Sequence, residues 1–258
     1  MLTSKNWRIK MRILLLDIET APNVAYVWGL WQQNVATNQL VDSSYILCWA
    51  AKWYGKKEIQ FSSIHKTTPK EMLLKVHKLL DEADAVVHYN GTKFDIPILN
   101  KEFVSYDIVP PSPYKQIDLL RVARGRFRFA SNKLDFVANS LGLGEKIRHK
   151  GFELWVECMQ GNSEAWQTMK NYNIGDVKLL EKVYVKMLPW IKNHPNHGLY
   201  KDDALVCSNC GSSSYQSRGW AMVRTLRYRR FQCNDCGTWF RGNKSEPSKS
   251  TNKFIGIA

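Results

Sequence analysis

From residue 12 to residue 19 the apolar positions run on without alternation, as Ile13-Leu14-Leu15-Leu16-Asp17-Ile18-Glu19. An unbroken run of this kind predicts a strand buried on both faces rather than one lying on a half-wet surface. Residues 24–30 and 45–54, rich in β-branched and aromatic side chains, predict further strands. Gly55-Lys56-Lys57 supplies a turn, and residues 58–61 a short return strand, so the opening reads as an antiparallel meander.

The period then changes. Met72, Leu73, Val76, Leu79 and Leu80 recur at three and four positions behind Pro69, which predicts an amphipathic helix over 69–83. A strand over 85–89 and a helix over 94–104, with Pro97 in its first turn, follow. Pro110, Pro111 and Pro113 read as a rigid connector. Leu134, Val137, Ala138 and Leu141 form another helical stripe, ended by Gly142 and Gly144. A long helix, broken or continuous, runs from Ser163 to about Ile191. A meander followed by alternating helix and strand predicts an α/β or α+β domain with a mixed sheet and flanking helices.

The pattern also marks boundaries. Residues 1–10 form a basic leader, 11–193 the main domain, and 194–203 a polar linker opening on His194-Pro-Asn-His-Gly198. Residues 204–241, dense in Cys, Gly, Ser, Arg and aromatics, predict a small second domain, and 242–258 a flexible tail. An apolar share of 44% and a charged share of 23% are globular values and exclude wholesale disorder. Thirty-seven basic against 23 acidic residues leave a net charge of +14, which favours a polyanionic partner. The longest uncharged stretch, Thr20 to Val41, holds too many amides to span a bilayer, and no signal peptide opens the chain. A cytoplasmic, reducing location is the expectation.

Three short motifs carry the candidate chemistry. Asp17 and Glu19, two apart on the first strand, face one side, where paired acids call for a cation or for solvent. Asn90-Gly-Thr-Lys-Phe94-Asp95 places an acid in the first turn of a helix, which by itself is ordinary helix electrostatics. Tyr172 and Asp176 share a face of the long helix, and Gly175 between them costs about 1 kcal/mol relative to Ala, which suggests a close neighbour. Singly, each motif has a bland structural explanation.

In order, the three resemble the motifs of 3′–5′ exonuclease domains that carry four acidic residues and a tyrosine on the ribonuclease H-like fold, nearest the exonuclease domain of family B DNA polymerases and its stand-alone phage and bacterial relatives. The resemblance covers residues 11–190. Lys133-Leu-Asp-Phe-Val-Ala138 with Leu141-Gly142 also resembles the family's intervening helix, and Asp118 is a recurrent feature without an assigned role. It implies an α/β, ribonuclease H-like mixed sheet, and a 3′–5′ exonuclease that hydrolyses DNA, single-stranded or at 3′ ends, to nucleoside 5′-monophosphates. It also implies two Mg²⁺ or Mn²⁺ ions held by Asp17, Glu19, Asp95 and Asp176, with Tyr172 orienting the attacking water. Asn90 and Phe94 become candidates for contacting the strand, as do Arg124, Arg126 and Arg128, whose basic run sits beside the motifs. An RNA-trimming or structure-specific nuclease on the same fold stays open, as does a catalytically silent adaptor, and replication or repair proteins are the natural associates.

Cys207-x-x-Cys210 and Cys233-x-x-Cys236, each followed by glycine, predict a structural Zn²⁺ in a zinc ribbon. A domain of this size buries too little apolar surface to fold without the metal. Between the pairs, Arg224, Arg227, Arg229 and Arg230 interleave with aromatics, a composition suited to phosphates and bases. Cys48 and Cys158 read as buried thiols. Trp28, Trp31, Trp49 and Trp53 read as core or half-buried side chains, although Trp28 and Trp31 could instead stack on terminal bases.

Overall fold

The computed structural model describes residues 10–200, 205–223 and 226–246. Residues from Arg12 to Val185 form one compact unit, and the described residues from Lys186 onward belong to a second.

The first unit opens with β1 (Ile13–Thr20), a two-residue strand β2 (Val24–Ala25) and β3 (Leu40–Asp42), followed by β4 (Ile46–Trp53) and β5 (Ile59–Ser63). Next come α1 (Pro69–Glu82), β6 (Ala85–His88), α2 (Asp95–Ser105), β7 (Lys115–Asp118) and α3 (Leu119–Arg126). It ends with α4 (Leu134–Ser140), α5 (Glu153–Met159) and α6 (Ser163–Met187). Five strands make one sheet in the order β5-β4-β1-β6-β7. β4 pairs antiparallel with β1 and β5, whereas β6 pairs parallel with β1 and β7.

β1 is apolar and buried over Ile13–Leu16 and at Ile18 because both of its faces are covered there. Leu14, Leu16 and Ile18 pack against Leu73, Val76 and Leu80 of α1 and Leu99 and Phe103 of α2. On the opposite side of the sheet, Leu47 and Cys48 pack with Leu154 and Cys158 of α5 and Trp166 and Met169 of α6. Alternation therefore turns Asp17 and Glu19 away from α1 and α2. α1 begins at a reciprocal cap: Thr68 Oγ1 accepts from the Glu71 N–H at 3.3 Å, and Glu71 accepts from the Thr68 N–H at 3.1 Å.

In the second unit, β8 (Tyr215–Val223), β9 (Leu226–Cys233) and β10 (Trp239–Glu246) form a three-stranded antiparallel sheet in the order β10-β9-β8. Tyr215, Phe231 and Phe240 make its aromatic centre, with ring centroids 5.3–5.6 Å apart. No helix among the described residues is long and apolar enough to cross a membrane.

Several expectations change. The strand over 24–30 shrinks to Val24–Ala25, and the rest projects as an arm: Trp28 is 99% exposed and Trp31 83%, not core residues, whereas Trp49 is buried. Among the described residues, β2 pairs with β3 and with no other strand, and Trp28 and Trp31 stay exposed. β7, α3 and α5 lie where the sequence pattern marked no element, since short elements leave too few repeats to set a period. The polar linker contains a 3₁₀ turn, His197–Tyr200, and buries His194 and His197. Asn209 Nδ2 bonds the carbonyls of Leu188 and Ile191 at 3.0 and 3.1 Å, so the segment after α6 is tied to the cysteine-bearing unit. β10 runs to Glu246, into the expected tail. Arg224, residues 1–9 of the leader and residues 247–258 lie outside the described residues.

Candidate metal and nucleic-acid site

Three elements bring the acids together. Asp17 and Glu19 project from β1 toward α6, one turn of which presents Tyr172, Asn173 and Asp176. A carboxylate oxygen from each of Asp17, Glu19 and Asp176 lies within 4.8 Å of the others. Asn173, fully buried, donates from Nδ2 to Asp17 Oδ2 at 2.7 Å and fixes that carboxylate. The Trp155 side chain hydrogen-bonds Glu19. Asp95 opens α2, outside the three-carboxylate group, and its Oδ1 accepts from the Ile18 N–H at 3.2 Å, which ties α2 to the middle of β1.

Burial and mutual repulsion govern the electrostatics. Burial, then the neighbouring charges of Glu19, Asp95 and Asp176, push Asp17 well above the usual carboxylate range. Burial and Asp176 push Glu19 up to about 8, and burial pushes Asp95 up to about 7. Burial also raises Asp176, against the pull of Lys146. The Lys146 ammonium donates to Asp176 Oδ2 at 2.5 Å and to the Tyr172 hydroxyl at 3.1 Å. Burial opposes that charge, yet Asp176 and Tyr172 hold Lys146 above its ordinary value. Tyr172 is raised in turn, mainly by burial and by Asp176, and stays a protonated phenol. His149 and Trp155 close one side of it, with centroids 4.7 and 6.0 Å from the Tyr172 ring.

The donor set suits a hard divalent ion. All its atoms are carboxylate oxygens, the ligands that magnesium and manganese prefer. Among the described residues, Asp176 Oδ1 is buried without a hydrogen-bond partner, an acceptor free for a cation. One ammonium does not neutralise three adjacent carboxylates, so a divalent cation would relieve the repulsion that raises them.

The site opens into a cavity of about 640 Å³ lined by Asp17, Tyr89, Asn90, Arg124, Lys133 and Lys146, among others. That volume falls in the range of ligand sites. A second hollow of about 530 Å³ runs on past Lys146 to Arg148, His149 and Tyr172. Asn90 reaches the cavity from a left-handed backbone position, φ 71°, held by its N–H on Asp118 Oδ1 at 2.9 Å. Asp118 Oδ1 also accepts from the Leu120 N–H at 3.0 Å, so one carboxylate sets both the 90–95 turn and the start of α3. Gly91 is required: a Cβ there would meet His88 Cγ at 2.4 Å. At Gly175 the close neighbour is Ile147, whose Cδ1 would lie 2.9 Å from an added Cβ.

Of the arginines in the basic run, Arg124 lines the cavity, whereas Arg126 and Arg128 are exposed and do not. Phe94, at the α2 N-terminus, is 41% exposed. Lys146, Asn173 and Trp155 are the additions the structure makes. Asn173 was visible as the residue beside Tyr172, one helical turn from Asp176. Lys146 and Trp155 carry no spacing signal, because each reaches the cluster from a separate segment.

The four cysteines form the second cluster, all sulfurs within 4.8 Å of one another. Two equivalent turns build it. The N–H groups of Gly211 and Gly237 bond the Cys207 and Cys233 carbonyls at 2.9 and 3.1 Å, with φ 72° and 77°. Backbone amides of Asn209 and Cys210 point at the Cys207 sulfur, and those of Asp235 and Cys236 at Cys233. Four converging sulfurs with amide donors fit a closed tetrahedral site, and the cluster fits a zinc ribbon.

Comparison with known proteins agrees with this architecture. The family model described as the RNase_H superfamily matches residues 14–188, and the chain belongs to that superfamily. Its fold is thus the ribonuclease H-like, nuclease-type mixed sheet. Among solved structures, the family B DNA polymerase from the hyperthermophilic archaeon Pyrobaculum calidifontis is similar in fold, with a TM-score of 0.54 and 16% identity. The match covers 69% of this chain and 25% of that one, so this chain spans about a quarter of the polymerase's length. Curated proteins give no match in sequence.

Proposed function

We propose that the chain is a metal-dependent 3′–5′ exonuclease that shortens DNA strands and releases nucleoside 5′-monophosphates. The observation that carries this reading is the convergence of Asp17, Glu19 and Asp176, with a buried Asp176 oxygen unpartnered among the described residues, where Asp17 lines a cavity that also presents Arg124 and Lys133. Asp17, Glu19 and Asp176 would hold one Mg²⁺ or Mn²⁺, and Asp17 with Asp95 a second. Such a pair, when bound, supplies acidification of the attacking water and neutralisation of charge on the leaving oxygen.

The chain's own groups do the positioning. Tyr172, a phenol held in its neutral form, orients a water by hydrogen bond and takes no proton from it. Lys146 keeps its ammonium beside Asp176 and Tyr172, where it offsets charge that develops at phosphorus. Asn173 keeps Asp17 in one rotamer. Water adds to phosphorus as the bond to the 3′ oxygen of the penultimate nucleotide breaks, and that oxygen leaves with a proton from solvent. Asn90, Phe94 and Arg124 contact the terminal nucleotides, and Arg126 and Arg128 guide phosphates further along. A Zn²⁺ on the four cysteines serves structure alone, since four sulfurs leave no open position.

The test is a single-stranded oligonucleotide labelled at its 5′ end and incubated with magnesium. The wild type shortens it progressively from the 3′ end, and Asp17→Ala leaves it intact. Equal degradation by both proteins overturns the site, and an RNA strand run in parallel decides sugar preference.

A further inference from the structure

The interleaved arginines of the cysteine-bearing unit do not form one patch; the sheet sorts them onto opposite faces. Residues paired across strands share a face. Phe231, flanked by Ser217 and Phe240, therefore lies on the same side as Arg229 and Arg227, which pair with Trp220 and Met222. On that face both guanidinium groups stack on Trp220, each 4.2 Å from its ring centroid, and Arg229 Nε lies 3.4 Å from Glu246. That face also carries an acid, Glu246, which offsets part of its positive charge.

The other face carries Tyr228, Arg230, Gln232, Trp239 and Arg241, and its strand residues include no acid among those described. Arg241 stacks on Tyr228 at 3.9 Å and Arg230 over Trp239 at 5.0 Å, while Trp239 remains 52% exposed. Each ring is held against a cation on one side. Such side chains have lost part of their rotamer freedom already, so a planar ligand that stacks on them orders less. Aromatic rings and guanidinium groups alternate along and across β9 and β10, adjacent strands about 4.7–4.9 Å apart, a spacing that bases of an extended polynucleotide can follow.

We infer that this Tyr228–Arg230–Trp239–Arg241 face is a platform for single-stranded nucleic acid, with bases stacking on Trp239 and Tyr228 and phosphates meeting Arg230 and Arg241. An acidic peptide would use the arginines but leave the indole idle. The inference extends the nuclease reading, from which it takes only the choice of a polynucleotide as the polyanion.

Binding of a fluorescent strand of about 20 nucleotides, followed by anisotropy on the full zinc-loaded chain in an Asp17→Ala background, tests it. Trp239→Leu combined with Arg241→Gln is expected to weaken single-strand affinity about tenfold and to flatten its salt dependence by roughly one contact. Trp239→Phe, which keeps a ring, stays close to the parent, and a duplex of equal length is insensitive to position 239. Arg229→Gln, on the opposite face, changes affinity by less than about twofold. Zinc content of one per chain shows that each variant is folded. Unchanged affinity in the double variant, or an equal loss in Arg229→Gln, overturns the platform. So does a loss that follows Arg241 but not Trp239, which would mark an acidic-peptide or phosphate surface. A strand bound by this face yet never hydrolysed by the wild type would sink the nuclease reading and spare the platform; hydrolysis with no dependence on this face would do the reverse.

Discussion

The two ligand clusters have the same tightness and opposite construction. Three carboxylates and four sulfurs each converge within 4.8 Å. The sulfurs come from two short turns that repeat the same hydrogen bonds, and backbone amides stabilise them locally. The carboxylates come from β1 and α6, Asp17 and Asp176 being 159 positions apart, and the packed fold brings them together. In the sulfur cluster a bound metal would make the fold; in the carboxylate cluster the fold makes the ligand site and bears its repulsion. A structural centre is closed and self-contained, whereas a reactive one is held open under electrostatic strain by an independent scaffold.

The largest effect should come from breaking the closed centre. Cys210→Ser removes one of the four sulfurs proposed to hold zinc, and structural zinc is worth about 10–16 kcal/mol in small domains. The variant should lose zinc, and amide protection should vanish over β8–β10 while β1, β4 and β6 keep theirs. Hydrogen exchange read by mass spectrometry checks both halves. Next in size, Asp17→Ala should lower hydrolysis by about 10³-fold or more, about 4 kcal/mol, with circular dichroism unchanged. Loss of fold in that variant would contradict the claim that the scaffold is independent of its acids.

Lys146→Met should cut turnover by about 10–100-fold. It should also tighten manganese binding, because a competing positive charge 2.5 Å from Asp176 is gone; manganese titration of the variant reads this directly. The pH dependence of stability has a defined sign. Glu19 and Asp95 titrate near 8 and 7 in the folded chain, above their ordinary 4.5 and 3.8. The folded state therefore holds more protons than the unfolded state between about pH 4 and 8, and stability falls as pH rises through that window. Thermal melts without added magnesium or manganese should show a falling Tm from pH 5 to 8, and added magnesium should restore it at the upper end. The smallest effect belongs to Gly175→Ala. About 1 kcal/mol of helix propensity is gained, and Ile147, 42% exposed, yields at its flexible end. Stability should move by less than about 1 kcal/mol, while turnover falls modestly because Ile147 adjoins Lys146.

The same contrast explains what the chain disclosed before its structure. The cysteine turns are local and were legible from spacing. The long apolar run of β1, the stripe of α1 and the reach of α6 were legible because each repeats its period several times. Asp17, Glu19, Asp95, Tyr172 and Asp176 were legible only as an ordered set, since nothing local distinguishes Asp95 from an ordinary helix-start acid. Trp155 escaped notice, and Lys146 was legible only as one of the basic residues after the arginine run that could guide phosphates, because each arrives from a separate segment and obeys no spacing. Trp28 and Trp31 were misjudged as buried because composition says which residues prefer the core and not which strand will cover them. The arginines of the cysteine-bearing unit were seen as one basic patch, since strand register, which splits Arg229 from Arg230, is a property of the folded sheet.

Manganese binding to the zinc-loaded chain, followed by electron paramagnetic resonance, tests the central claim most directly. The wild type should bind manganese with the free-ion signal suppressed until the acidic cluster fills, and Asp17→Ala should leave the free-ion signal rising from the first addition. Identical titrations of the two proteins would contradict the account.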